Sequence, residues 1–542
     1  MSSKLIPPAV RSTTERLTAA ASDQVSLAPL ALLRVVLGVT FFVWASSFLA
    51  EDRWRILFVD PAMLFKYAGF EWVRLWPGDG IWWHFQVTRL AASFFVLGFL
   101  TRLSALTLAT SMAYVLLVER QLYNNHEYLL GCTAMLCVFL PCGRAYSIDR
   151  LRWGGRSAAA STTMPRWQWW LVRFQLGLPY VFGAIAKLDS DWLAGQPAGL
   201  FVDSRIDTPI IGPLFSLPIS AIVMAWGGFL FDLLVVPGLY FRRTRPVAIA
   251  AALLFHLTNA TIFQIGVFPW FMIATLFVFF PIESVVEWMA RLRLVSADQP
   301  DLDQTTDTES AAALATDRSD LGRNNANKIR HTGVVSRAGQ WLAIGYVAIQ
   351  LLLPLRPWLL PGNPSWNERG QRFAWRMMLR HKQTLLWFKI ETEADYLFVP
   401  GGLVMSPNQL QRAPRDPELI RQAANEIRRL AASFATERPR IYALALVSLN
   451  GRPARLMIDP DTDLAEARRG WFSDDWVSQD PGPLPPSAWR VPTDQWWQSV
   501  SMPDRFRPLA SLRPSEAQAM FNRLGQSHRS DGSAASTPNR QK

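Results

Sequence analysis

Lys187 stands at the end of an apolar stretch, GAIAKLDSDW, where a charged side chain is costly. This stretch closes an apolar run that begins near Trp169 and is long enough to cross a bilayer. In such a partly desolvated place the amine of a lysine loses its proton more readily and can serve as a general base. The structural alternative is a lysine that extends its ammonium group from a helix end into the headgroup region.

The stretch QLYNNHEYLL at 121–130 supplies a second polar group, Asn125 and His126, beside an apolar segment. Asn124 and Glu127 also have the spacing of a helix N-cap with a capping-box partner. In that interpretation His126 is a bystander inside the first turn of a helix. The residues are compatible with both a functional and a capping role.

A third polar group, His256 and Asn259, lies in the stretch FHLTN at 255–259. The two residues are three positions apart, so they share one face of a helix. The structural alternative for His256 is a hydrogen bond between two membrane helices.

The three cysteines, Cys132, Cys137 and Cys142, all lie in one apolar segment. A spacing of five residues turns successive sulfur atoms about 140° apart on a helix, which predicts neither a metal cluster nor a disulfide. The sequence also has no phosphate-binding loop and no serine nucleophile elbow. We therefore expect no metal.

The elements that position these groups are predicted to be membrane helices. Half of the 542 residues are hydrophobic, 18% are charged, and there are 24 Trp and 32 Phe, as in a membrane protein with interfacial aromatic belts. The net charge of +12 comes with arginines beside apolar spans, which favours orientation in a bilayer over nucleic-acid binding. Nine spans are predicted near 28–50, 81–100, 103–119, 127–143, 168–186, 217–240, 246–265, 266–285 and 338–358.

The loops predict the orientation of these spans. Arginines follow spans two, four, six and eight, whereas the loop after span five is acidic. The positive-inside rule then places the N-terminus in the cytoplasm and Lys187, His126 and His256 toward the outer membrane face. The seventh and eighth spans, separated only around Gly266, are expected to form a helical hairpin.

The predicted fold class is a polytopic α-helical membrane protein with a small C-terminal extracytoplasmic α+β domain. In that domain LLWFKIETEADYLFV alternates like paired strands, PELIRQAANEIRRLAASFATE has helical spacing, and a hairpin turns at Asn450-Gly451. The predicted divisions are a cytoplasmic tail at 1–27, a membrane domain at 28–292, a disordered cytoplasmic loop at 293–337, span nine at 338–361, the α+β domain at 362–500 and a polar tail at 501–542.

Four stretches resemble, in the same order, the vitamin K-dependent gamma-glutamyl carboxylase family with its HTTM-type membrane domain. They are LYNNHEYL, GAIAKLDSDWL, FHLTNATIFQIGVFPWFM and PGNPSWNERGQRFAWRMM, and the resemblance extends over roughly 28–480. It implies a peptidyl-glutamate 4-carboxylase that oxygenates reduced vitamin K, a hydroquinone, to its epoxide and carboxylates a peptidyl glutamate, with O₂ and CO₂ as co-substrates. The implied partners are the lipid bilayer, the quinol and a Glu-containing protein or peptide. The lack of a structural disulfide and the arginine-rich loops indicate a bacterial inner membrane.

The resemblance also implies roles for individual residues. Lys187 matches the family's catalytic base, and Asn125 a group that polarises a quinone oxygen. His126 matches a histidine of proton delivery or of stabilisation near the carbanion. Binding of the quinol or glutamate is assigned to His256, Asn259, Trp375, Met377 and Met378.

Two departures from the family pattern are visible. Ala186 stands where animal relatives have a second lysine, and the cysteines cannot form the family's disulfide. Two alternatives therefore stay open. One is a quinol epoxidase without peptide carboxylation, and the other is a non-catalytic quinone- or lipid-binding membrane protein.

Overall fold

The structure, a computed structural model, describes residues 16, 18–153, 162–208, 212–263, 265–294, 337–393, 395–432, 438–468, 470 and 474–511. Residues 295–336 of the predicted cytoplasmic loop lie outside the described residues, as do 1–15 and 17 of the predicted N-terminal tail and 512–542 of the predicted C-terminal tail. The described chain is mostly helical, with a small sheet region near its C-terminus.

Most of the longer helices occur in the first two thirds of the chain. Prolines lie in the first turn of several, where the missing N–H has no partner in any case, and Gly98 ends one of them with φ 67°. Shorter helical turns connect them, among them Ser190–Leu193 and Ala198–Asp203. The longer helices are α1 Ala28–Leu49, α2 Gly80–Leu97, α3 Thr101–Val118, α4 Asn125–Phe139, α5 Arg166–Lys187, α6 Ser220–Tyr240, α7 Arg245–Ile262, α8 Phe268–Ala274, α9 Ile282–Arg291 and α10 Arg337–Leu352.

The predicted number of nine spans is not confirmed. In the described part of the chain five helical segments are long and apolar enough to cross a membrane, or six when a bent pair is counted as one span. Helix α4 has only 15 residues, about 22 Å of helix against a hydrocarbon core of about 30 Å. Helix α5 carries Arg166, Arg173 and Lys187, which lowers its apolar character. The five segments are 28–52, 101–118, 220–240, 245–262 and 339–359.

The predicted span at 266–285 contains a sharp bend. The chain follows α8 with a 3-10 turn and then bends by 109° into α9. Pro281 stands at the bend and has no N–H to continue the helix. Arg173 of α5 holds the bent backbone, because its guanidinium donates to the carbonyl of Val278 at 2.8 Å and also to the carbonyl of Phe280.

The C-terminal part contains a four-stranded antiparallel sheet. Its strands are β3 Lys382–Glu391, β4 Tyr396–Pro400, β5 Arg440–Leu449 and β6 Arg455–Leu456. The strand order is β4-β3-β5-β6, and helix α11 at Pro417–Ala431 packs on one face. The predicted hairpin at Asn450-Gly451 is confirmed, with φ values of 52° and 76° at its two turn residues. A further two-stranded pairing joins β1 Gln24–Ser26 to β2 Thr163–Pro165.

Candidate functional site

Lys187, the last residue of α5, is buried against an aspartate of α6. Its Nζ lies 2.5 Å from Oδ2 of Asp232, and the two side chains are 6% and 4% exposed. The lysine therefore does not extend its ammonium group to the headgroups, as the structural alternative required. The apolar bundle around this pair does not solvate a charge, so each of the two groups depends on the other for its stabilisation.

Lys187 is buried because α6 extends beyond the end of α5. Helix α6 begins twelve residues before Asp232, so about 18 Å of it precedes the level of the pair. The segment between the two helices covers the lysine, and the ring of Trp192 lies 5.3 Å from Nζ. Trp192 is fixed in turn, because its Nε1 donates to the carbonyl of Ala225 at 2.8 Å.

Gly183, one turn before Lys187, makes room for the carboxylate. A Cβ at this position would lie 2.7 Å from Oδ2 of Asp232 and 3.8 Å from Nζ of Lys187. Because real side chains do not approach so closely, any larger residue at this position would displace the aspartate. The pair therefore depends on a glycine as well as on its two charged residues.

His126 and His256 both lie near the ring of one phenylalanine. The ring of Phe268 is 5.4 Å from that of His126 and 6.3 Å from that of His256. Nε2 of His256 is hydrogen-bonded at 2.9 Å to the hydroxyl of Tyr180, two turns before Lys187 on α5. The interhelical hydrogen bond predicted as the alternative role of His256 is thus present, while Nδ1 of this buried ring has no hydrogen-bond partner among the described residues.

The predicted capping box at Asn124 and Glu127 is not formed. Asn124 occupies the N-cap position of α4, but its side chain makes no capping bond and donates instead to Glu127 and to the carbonyl of Leu122. Glu127 is buried and accepts a hydrogen bond from Nε1 of Trp44 at 3.1 Å. Glu127 therefore fixes the start of α4 through its hydrogen bonds with Asn124 and with Trp44 of α1.

Asn125 joins the start of α4 to the stretch FAWRMM of the C-terminal part. Its Nδ2 donates to the carbonyl of Arg376 at 3.3 Å, and its Oδ1 accepts from the hydroxyl of Tyr123 at 2.9 Å. The same hydroxyl accepts from the backbone N–H of Phe373 at 2.7 Å. The amide of Asn125 thus has one N–H left for any other partner.

The FAWRMM stretch has an unusual backbone conformation. Phe373, Trp375 and Met378 have φ values of 59°, 54° and 62°, in the left-handed region that non-glycine residues rarely adopt. Such strain persists only where surrounding contacts fix it, and it concentrates at functional sites. Here the contacts include Tyr128, whose ring lies 5.1 Å from Trp375 and 5.0 Å from Phe373.

Trp375 and Met378 extend toward the other predicted residues. Trp375 is fully buried, and its Nε1 has no hydrogen-bond partner among the described residues. Met378 packs on a small apolar cluster that contains Ala186 and Trp192, the neighbours of Lys187. Asn259 and Met377 are half-buried, and no hydrogen bond joins the Asn259 amide to another described residue.

Two buried ionic clusters attach the C-terminal part to this end of the helices. Arg452 binds Asp191 with both guanidinium nitrogens, at 2.6 and 2.9 Å, and Asn450 donates to the same carboxylate. Asp416 accepts from Arg120 at 3.0 Å and from Arg372 at 2.7 Å. Burial alone would raise the pKa of Asp416, but the two arginines hold it well below its usual range.

The site residues predicted from the sequence do not include Asp232, Tyr180 or Phe268. One signal could have found Asp232: an acid deep in an apolar span needs a partner, and Lys187 lies at the end of the preceding span. Tyr180 and Phe268 are ordinary residues of apolar segments, and only their contacts distinguish them.

Comparison with known families gives two matches along the chain. Residues 23–284 match the HTTM domain, and residues 336–481 match the vitamin K-dependent gamma-carboxylase, lumenal domain. The first covers the helices that carry His126, Lys187 and His256, and the second covers Trp375 and Met378. No solved structure matches the chain. With both domains present in this order over most of its length, the chain belongs to the vitamin K-dependent gamma-carboxylase family.

Proposed function

We propose that this chain is a vitamin K-dependent carboxylase that oxygenates reduced vitamin K to its epoxide and couples this reaction to γ-carboxylation of a peptidyl glutamate. The observation that carries the proposal is the meeting of four distant stretches. The segments around Asn125, Lys187, His256 and Trp375 are joined through Phe268, Tyr180, Met378 and the Asn125 hydrogen bond to Arg376. Membership of the carboxylase family supports the same reaction.

The groups around this site fit an aromatic ring that carries oxygen atoms. Two buried nitrogens, Nδ1 of His256 and Nε1 of Trp375, have no partner among the described residues and can bond ring oxygens. Phe268 and Tyr128 lie beside them and supply apolar aromatic surface. These residues would hold the quinol, which on reaction with O₂ supplies a base strong enough to remove the γ hydrogen of glutamate.

In this proposal Lys187 accepts the proton of a quinol hydroxyl. Asp232 fixes the amine and neutralises the ammonium group that forms, so the buried site never holds an unpaired positive charge. His126, whose ring lies 5.4 Å from that of Phe268, is assigned proton delivery close to the glutamate. Arg412 acts electrostatically on His126 and is our candidate to attract a peptidyl carboxylate.

Enclosure of the site supports a reaction that must exclude water. Lys187 is covered by Trp192, and Trp375 is fully buried with the ring of Tyr128 5.1 Å away. A closed site of this kind strengthens electrostatic interactions and prevents hydrolysis of reactive species. The arginine-rich loops are proposed to face the cytoplasm of a bacterium, with the C-terminal part outside.

The test is an incubation of purified protein with reduced vitamin K, labelled CO₂ and a Glu-containing peptide. Epoxide and peptide-bound label are measured separately. We expect both products. Epoxide without label would replace the proposal with the epoxidase alternative, and the absence of both, with quinol bound, would identify a binding protein.

A further inference from the structure

A basic cavity opens at the end of the helices opposite Lys187. It has a volume of about 430 Å³ and lies between the start of α7 and helix α9. Helix α5 shows that the cavity and Lys187 lie at opposite ends of the helices. Its first residue, Arg166, lies 3.5 Å from Glu283 of α9, and its last residue is Lys187. The polar side chains that line it are Arg242, Arg245, Ser284, Glu287 and Arg291.

Three arginines face one glutamate in this cavity. Arg245 is held in place by its own backbone, because its guanidinium donates to the carbonyls of Leu239 at 2.9 Å and Tyr240 at 3.1 Å. Arg242 and Arg291 are exposed, and no ion pair joins either of them to a carboxylate within the described ranges. The cavity therefore has a net positive charge and two cations able to bind an anion.

The orientation of helix α9 fits a position at the depth of lipid headgroups. It leaves the preceding helical segment at 109°, and it buries Ile282, Val285 and Met289 in the core of the helical part. Its charged face is therefore left for the headgroup region. Trp288, which also lines the cavity, is 48% exposed, as expected of an interfacial aromatic residue.

We propose that this cavity binds the phosphate headgroup of an anionic phospholipid. Arg242 and Arg291 pair with the phosphate oxygens, and the Ser284 hydroxyl is positioned to donate a hydrogen bond. The acyl chains would follow the apolar chain neighbours of the two arginines, Phe241 and Leu292, which are 61% and 51% exposed. Inorganic phosphate has the same oxyanion chemistry but lacks these chains, so the two ligands can be distinguished.

The test uses the full chain in nanodiscs of phosphatidylcholine, with or without phosphatidylglycerol. Lipid retained by the protein is counted by native mass spectrometry, and thermal unfolding is followed in parallel. We expect selective retention of phosphatidylglycerol and a higher Tm in its presence. The double variant Arg242→Gln/Arg291→Gln should lower this selectivity by about fivefold for each arginine removed.

The matched control is Arg243→Gln/Arg293→Gln, which removes the same charge from the same two segments outside the cavity lining. It should retain phosphatidylglycerol like the unmodified chain. Equal losses in both double variants would mean a diffuse charge effect and would overturn the site. Stabilisation by inorganic phosphate in pure phosphatidylcholine, equal to that by phosphatidylglycerol, would overturn the assignment to a lipid.

Discussion

Nζ of Lys187 and Oδ2 of Asp232 lie 2.5 Å apart, in contact inside the helical bundle. When the amine takes up a proton, this pair changes from one net negative charge to none. The partner therefore favours proton transfer to the lysine, and it also fixes the amine in one position. Asp232 is in this sense a positioning residue for the proposed base.

Asp232→Asn is expected to lower the maximal rate of epoxide formation by on the order of 10²-fold, because the ammonium group then forms without a counter-charge, at a cost of about 3 kcal/mol. Asp203→Asn, at an exposed ion pair with Arg490, is the control. An unchanged maximal rate in Asp232→Asn would contradict the role of Asp232.

Lys187→Arg should abolish epoxide formation while leaving the fold intact. Arginine can still pair with Asp232, but its guanidinium keeps its proton and cannot act as a base. Lys187→Ala should also be inactive, and small amines added to it should partly restore epoxide, more so at higher pH where they are neutral. Substantial epoxide from Lys187→Arg would exclude the general-base role.

Two buried tryptophans allow a matched test of quinol binding. Nε1 of Trp366 donates to the carbonyl of Ser478 at 2.9 Å, whereas Nε1 of Trp375 has no partner among the described residues. Trp366→Phe should therefore lose about 1 kcal/mol of hydrogen-bond energy beyond its packing loss and leave the KM for quinol unchanged. Trp375→Phe should lose only packing energy but raise the KM by about tenfold, the loss of one good hydrogen bond. Thermal unfolding and steady-state kinetics measure the two effects, and an unchanged KM for Trp375→Phe would remove Trp375 from the binding site.

Asp416 should make the attachment of the C-terminal part sensitive to acid. Although burial opposes it, Arg120 and Arg372 lower the pKa of this carboxyl in the folded protein relative to about 3.9 in an unfolded chain. Its stabilisation is therefore complete above about pH 4 and is lost as the pH falls toward the folded-state pKa. Asp416→Asn should cost on the order of 3 kcal/mol at pH 7, and its difference from the unmodified chain should shrink below about pH 4. Thermal unfolding between pH 3 and pH 7 measures this; a difference independent of pH would exclude the carboxylate charge as its source.

Elements fixed by local pattern could be predicted from the sequence. The alternation in β3, the helical spacing of α11 and the turn at Asn450-Gly451 each require only neighbouring residues. The bend at Pro281 could not be placed, because hydropathy over 266–285 is continuous and the bent backbone is held by Arg173 from another helix. Local pattern therefore gives the elements but not the long-range contacts that shape them.

The pairing of Lys187 with Asp232 escaped prediction for a geometric reason. Position along a predicted span does not give the relative depth of residues on two different helices. Helix α6 begins well beyond the level at which α5 ends, so the two residues meet. The family resemblance located the separate motifs, but their contacts with Phe268 and Tyr180 required the three-dimensional structure.

The strained loop with Trp375 and Met378 belongs to the C-terminal part, yet it packs beside Lys187 of the membrane helices. For the proposed reaction, one reactant then arrives by diffusion in the two dimensions of the membrane and the other from three-dimensional solution. Each reactant reaches the site directly from the solvent in which it dissolves. Saturation by the quinol is consequently set by its mole fraction in the lipid, and saturation by the peptide by its molar concentration, so the two can be varied independently.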